Sequence, residues 1–322
     1  MKDFLNYQGL LSKLSKQDLK QLFRALENYK FKYRKTLELD ERVSFGTEIE
    51  FEDVLLYYVK KEFSKHPSFH DWIVKEDKSV RYIIDGFDVG GEVSSPILHD
   101  LESDWKKLSN VIQTLQMLHA HAKDKTSLHV HVGSQIFGED LENVIRFVKV
   151  WCIFEHVIFK FAYGRLREAR SQILYFAHPI AEVTKLKEKK IPHYFETIGR
   201  PKSLSLDKKW ALNFQNYYSL SSMEELGNTI EIRCANGSLD RNIIQNTIHF
   251  YLKLMMYVTS EEYDDVLINR LFDRLHVKDF AEYADIYIKD ALKLVDLIFD
   301  SSLDKINFLK QYIKKDEYML IK

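Results

Sequence analysis

Residues Ser44-Phe45-Gly46-Thr47-Glu48-Ile49-Glu50-Phe51 alternate with a period of two, which a strand satisfies and a helix does not. Val43, Phe45, Ile49 and Phe51 point one way, and Gly46, Glu48, Glu50 and Glu52 the other. One reading is a half-buried strand with a wetted carboxylate face. The other is a pair of carboxylates held on a rigid strand to bind a cation. Later segments decide between them, because several repeat the arrangement.

Arg81 to Ile84 reads as a strand, and Asp85-Gly86-Phe87-Asp88-Val89-Gly90-Gly91 carries hairpin chemistry. Glu92-Val93-Ser94-Ser95-Pro96-Ile97 follows, with Glu92 just after glycines that let backbone approach a ligand closely. Ser127-Leu128-His129-Val130-His131-Val132-Gly133 sends its aliphatic residues to the core and His129 and His131 to the other face. A lone His-x-His fits a polar strand face as well as a metal site. Trp210 to Phe214 reads as a strand. Past the turn signal Gly227-Asn228, so does Thr229-Ile230-Glu231-Ile232-Arg233-Cys234, with Glu231 and Arg233 sharing the polar face. Taken alone, that pair is an ordinary surface ion pair of little energetic weight.

As neighbours in one antiparallel sheet, these strands bring four carboxylates together: Glu48, Glu50, Glu92 and Glu231. Two charges ~4 Å apart repel by ~1 kcal/mol in water and ~4 kcal/mol at an effective dielectric of ~20. Such a cluster requires cations. Its oxygen-rich ligand set, with one or two imidazoles, suits Mg²⁺ or Mn²⁺ better than Zn²⁺. Hard dications plus arginines are what a nucleoside triphosphate requires. No Gly-x-x-x-x-Gly-Lys is present, so a phosphate site here is not a P-loop.

The remaining segments are mostly helical. Ser15-Lys16-Gln17-Asp18 resembles a capping box ahead of Leu19, Leu22, Phe23 and Leu26. Helices are expected over about Asp53 to Lys65, Asp100 to His121, Glu139 to Tyr163 and Asp240 to Val258, and through most of the chain beyond Ser260. His119 and His121 close the second of these as structural residues. Arg165, Arg167 and Arg170 after the third read as a solvated basic helix end or as a phosphate clamp. Lys185 to Lys190 reads as exposed, and Ile191-Pro192 and Arg200-Pro201 punctuate a flap-like stretch.

With 322 residues, 45% hydrophobic and 30% charged, the chain holds enough apolar material for a sizeable core. A formal net charge of −1 gives no bulk basic excess for nucleic acid. Its two cysteines, Cys152 and Cys234, have neither metal-site nor disulfide spacing. No apolar signal segment opens the chain, and the most apolar run carries charges, so a cytoplasmic protein with no membrane partner is expected.

In order, Gly46-x-Glu48-x-Glu50, Glu92-Val93-Ser94-Ser95-Pro96, His129-x-His131, Leu212-Asn213 and Thr229-Ile230-Glu231-Ile232-Arg233 with Gly237-Ser238 resemble the amidoligase family. That family is grouped with the glutamine synthetase and glutamate–cysteine ligase superfamily of carboxylate–amine ligases. The resemblance covers roughly residues 43–257. It implies an α+β fold: a curved antiparallel sheet of glutamine-synthetase type with the active site on one face and helices on the other. An N-terminal helical extension over 1–40, a catalytic domain over 41–258 and a C-terminal helical region over 259–322 complete the expected organisation. Implied cofactors are ATP and Mg²⁺, with Mn²⁺ as an alternative.

By position, the resemblance makes Glu48, Glu50, Glu92 and Glu231 metal ligands, joined by His129 or His131. Arg233 contacts the transferred phosphoryl group. Arg170, with Arg165 as substitute, matches an arginine placed before the next strand. Lys209 and Asn213 fall on the nucleotide side, although Lys209-Trp210 stands where the family often has Arg-Tyr. The implied reaction is ATP-dependent amide formation through an acyl phosphate, on small-molecule or peptide carboxylate and amine substrates. Glu92 or a flap residue such as Glu196 is the candidate base. A metal-dependent hydrolase, a small-molecule kinase on the same sheet and a non-catalytic protein-binding scaffold are the alternatives.

Overall fold

The computed structural model describes residues 9–138, 140–186, 208–217 and 228–314. Glu196, both proline dipeptides, Gly227 and most of the Lys185–Lys190 run therefore lie outside the described residues.

Helix α1 (Lys16–Asn28) starts at the expected capping box, with Ser15 and Asp18 bonding reciprocally. Strand β1 (Ser44–Leu55) runs on to Leu55 and only then turns into α2 (Leu56–Ser64), so the helix expected from Asp53 begins three residues later. Asp53 adopts a left-handed conformation (φ 69°), and pairing with β4 skips from Phe51 to Leu55. This is a bulge, which bends the strand without ending it. The Glu52 backbone bridges His121 there.

Strands β2 (Ile73–Lys75), β3 (Tyr82–Ile84), β4 (Phe87–Ser94) and β5 (Leu98–His99) follow. The β3–β4 hairpin turns at Asp85 and Gly86, both at positive φ, as its sequence predicts. Next come α3 (Glu102–Met117), β6 (Ser127–Gly133), α4 (Leu141–Ala162), α5 (Ile173–Phe176) and α6 (Ala181–Leu186). The strand expected from Trp210 shrinks to β7 (Leu212–Asn213), because Trp210 instead makes a parallel bridge to His178. Strand β8 (Thr229–Asn236) leads into α7 (Arg241–Thr259), capped by Asp240. Helices α8 (Asp265–Asp273), α9 (Ile288–Ile298) and α10 (Ser302–Ile313) finish the described chain.

The result is α+β. The sheet runs β2-β4-β1-β6-β8-β7, with β3 also on β4 and β5 also on β1, and every strand pair is antiparallel. One face packs on helices, with α7 against β6 and α4 against β8. The C-terminal helices continue the same core. Phe308 of α10 stacks on Phe161 of α4, with centroids 4.4 Å apart, and Tyr29 beyond α1 donates to Asn307 at 2.7 Å. Both cysteines are buried thiols. No helix among the described residues is long and apolar enough to cross a membrane.

Candidate active site

Cross-strand register builds the site. Glu50 on β1 lies opposite Glu92 on β4, and Glu48 lies opposite His129 on β6. Further along, Gly46 faces His131, His131 faces Glu231, and Glu231 faces Asn213. Lys75 on the edge strand β2 faces Glu92. Directly paired residues share a face of an antiparallel sheet, so these side chains rise together, away from the buried Phe45, Ile49, Val130 and Ile232.

Glu48 is the hub. Its Oε2 lies 3.0 Å from His129 Nδ1, and its Oε1 lies 3.3 Å from His131 Nε2 and 3.8 Å from Lys75 Nζ. Ser127 Oγ engages His129 Nε2 at 2.8 Å, so both ring nitrogens of His129 are taken. His131 differs. Its Nε2 is buried and, despite the nearby Glu48 oxygen, has no aligned hydrogen bond. Glu231 accepts from Asn213 Nδ2 at 2.6 Å and pairs with Arg233 Nη1. Glu50 accepts the Ser127 backbone N–H at 2.7 Å, and Glu92 accepts from Ser94 Oγ at 2.7 Å and Lys75 Nζ at 3.0 Å.

Among the described residues, two groups of three could hold a metal ion: Glu48, His131 and Glu231, and Glu50, Asp77 and Glu92. Within each group the ligand atoms lie within 4.8 Å of one another. The donor set is mostly carboxylate oxygen with one imidazole, which fits hard dications. The unaligned His131 nitrogen in the first group fits the same use.

The ionisation states reflect this crowding. Burial works against charge on Glu48, but His129 and His131 overcome it and hold the carboxyl well below the usual carboxylate range. Burial and then the Glu48 charge push Glu92 up. Burial works against charge on His131, but the Glu48 carboxylate 3.3 Å away and the charge of Glu231 outweigh it and raise the group. Burial likewise opposes charge on Glu231, yet His129, Arg233 and His131 lower it.

Asp77 and Lys75 were not singled out from sequence. They lie in Trp72 to Val80, where a three-residue strand is too short to show a period. The available signal was turn chemistry: Asp77 Oδ1 accepts the Ser79 backbone N–H at 2.7 Å. The glycines before Glu92 also serve a different purpose from the expected one. A Cβ on Gly90 would meet Val80 O at 2.9 Å, and one on Gly91 would meet Lys75 O at 2.7 Å. They admit neighbouring backbone, not a ligand.

The arginines separate. Arg233 stays at the cluster through Glu231 and also donates to Phe176 O at 3.3 Å. Arg170 is buried, and its guanidinium donates to Ala235 O at 2.8 Å and Arg233 O at 2.9 Å. It braces β8 instead of facing a phosphate. Arg165 pairs with Asp240 at the start of α7, outside the cluster. Lys209 has an exposed side chain, and its carbonyl accepts from the His178 N–H at 2.7 Å. Beside Glu48 and His131 opens a cavity of about 260 Å³, walled by Ser44, Ser95, Gln135, Asn228 and Thr229. Larger cavities of about 420 and 560 Å³ both border Arg165, and no carboxylate of the cluster lines either.

No curated protein shows a match to this chain. The family model described as a putative amidoligase enzyme matches residues 16–255. The match begins with α1, so that helix lies inside the family region, whereas α8, α9 and α10 lie beyond it. With well over half of its length matched, including every strand of the carboxylate face, the chain belongs to the amidoligase family.

Proposed function

We propose that the protein is an ATP- and Mg²⁺-dependent carboxylate–amine ligase working on the polar face of a glutamine-synthetase-like sheet. One observation carries the reading: in a chain of the amidoligase family, two ligand triads from distant segments converge on that face. Glu48, His131 and Glu231 would hold one dication, and Glu50, Asp77 and Glu92 the other. Dications held there would supply the positive charge that phosphate oxygens need during transfer. His129 positions Glu48.

The substrate carboxylate attacks the γ-phosphorus of ATP, and ADP leaves. Arg233, already at the cluster, stabilises the transferring group. The amine nitrogen then attacks the acyl carbon, phosphate leaves, and the amine gives up a proton to form the amide. Glu92 is the candidate base, as a carboxylate already at the cluster. Arg170 supports Arg233 from beneath through its carbonyl. The cavity beside Glu48 and His131, lined by apolar residues such as Phe45 and Ile97 as well as by small polar ones, is the space for an organic substrate.

The test is ADP release from ATP and Mg²⁺ with a panel of carboxylates and hydroxylamine as the amine. Wild type should release ADP and form a hydroxamate. Glu231→Gln and Arg233→Ala should each abolish both while retaining the native circular dichroism spectrum. Undiminished turnover in both variants would contradict the assignment.

A further inference from the structure

Lys75 stands between the two triads. Its Nζ is 3.0 Å from Glu92 Oε1, a ligand of one, and 3.8 Å from Glu48 Oε1, a ligand of the other. Register holds it there, since Lys75 pairs directly with Glu92. Yet β2 is an edge strand of three residues, and the side chain remains 48% exposed. The ammonium is therefore bound by the basin but not enclosed in it. A dication on Glu92 would sit on the carboxylate that Lys75 now contacts at 3.0 Å, and two cations that close repel strongly. The retreat is outward, because helices and core close the other face of the sheet. A polyphosphate reaching the cluster would come to its polar face. A lysine suits such a move, having a compact charge on a flexible stem.

We propose, resting on the two-dication reading above, that Lys75 is the cation that counters the carboxylates of both triads, displaced by an entering dication and turned onto the nucleotide's phosphates. Metal and nucleotide then favour each other through this side chain, and the coupling is reciprocal.

The experiment is isothermal titration of the full-length protein with Mn²⁺ alone, then with the non-hydrolysable analogue AMP-PNP at saturating Mn²⁺. Lys75→Met should bind Mn²⁺ at least about tenfold more tightly than wild type and AMP-PNP at least about tenfold more weakly, each a change of ~1.4 kcal/mol. Lys75→Arg, which keeps the charge, should stay near wild type in both. Lys75→Gln repeats the measurement should the methionine variant not fold. Wild type that binds Mn²⁺ while the neutral variants bind it no more tightly would overturn the role of Lys75 alone, as would unaltered AMP-PNP affinity or equal tightening in Lys75→Arg. Wild type that binds neither Mn²⁺ nor AMP-PNP would overturn the ligase reading itself.

Discussion

His129 and Glu48 face each other across β6 and β1, with Nδ1 3.0 Å from Oε2. This pairing distinguishes two histidines that look equivalent in sequence. Ser127 holds the other nitrogen of His129, whereas His131 keeps a buried Nε2 without an aligned partner beside Glu48 and within reach of Glu231. On the two-dication reading proposed above, His131 is the ligand and His129 the residue that aims Glu48. Loss of an outer partner typically costs ~10–100-fold in metal affinity. His129→Asn should fall within that range, and His131→Ala should cost more. Mn²⁺ titration calorimetry gives the ranking, and the reverse order would exchange the two roles.

Asp77 provides a count. It completes the second triad with Glu50 and Glu92, and no residue of the first triad depends on it. Wild type should bind two Mn²⁺ ions, and Asp77→Asn one. Saturating metal should also raise stability, by ~2.7 kcal/mol per site at a hundredfold excess over Kd. Asp77→Asn should keep only part of that gain. Measured stoichiometry and the shift in unfolding midpoint check both statements. Two ions in the variant would remove Asp77 from the ligand set.

Much of this site was legible because strands write their faces into sequence with a period of two. Glu48 with Glu50, His129 with His131, and Glu231 with Arg233 could each be placed on a polar face without coordinates, and the α+β class and the capping box of α1 were equally readable. What stayed hidden was which residues stand opposite one another. Register assigns Glu231 to His131 and Lys75 to Glu92, and it depends on pairing between segments far apart in the chain. Short elements concealed the rest. β2 and β7 have three and two residues, too few to display alternation. Arg170 misled for another reason: local sequence cannot show that its guanidinium would be claimed by the carbonyls of β8.

Glycines on β4 and in its hairpin offer a paired stability test. Gly86 and Gly90 both adopt φ 81°, but only Gly90 is crowded. A Cβ there would lie 2.9 Å from Val80 O and 3.1 Å from Phe51 O, while one on Gly86 meets nothing within 4 Å. Gly86→Ala should cost ~1–2 kcal/mol, the ordinary penalty of a left-handed alanine. Gly90→Ala adds a clash with backbone that cannot swing aside, and should cost roughly 3 kcal/mol or more. Urea unfolding midpoints should drop in that order with similar slopes. Equal losses would mean that β4 yields enough to accept a methyl group.

Glu155 gives the pH dependence. It is buried in α4, where its carboxyl accepts from Ile180 N at 2.6 Å, Ala181 N at 2.9 Å, Trp151 Nε1 at 3.0 Å and Tyr283 Oη at 3.0 Å. Burial outweighs these donors and pushes its pKa up from 4.5 to about 7. Between those values the folded state holds a proton that the unfolded state has released. Stability from this group is therefore full below pH ~4.5 and declines as pH rises to ~7, by about 3 kcal/mol at most. Glu155→Gln cannot ionise and lacks this decline, although its amide faces the same donors and lowers stability at every pH. The difference in unfolding free energy, wild type minus variant, should therefore shrink steadily from pH 4.5 to 7. A constant difference would mean that Glu155 is already ionised at the acid end, with its four donors stronger than its burial.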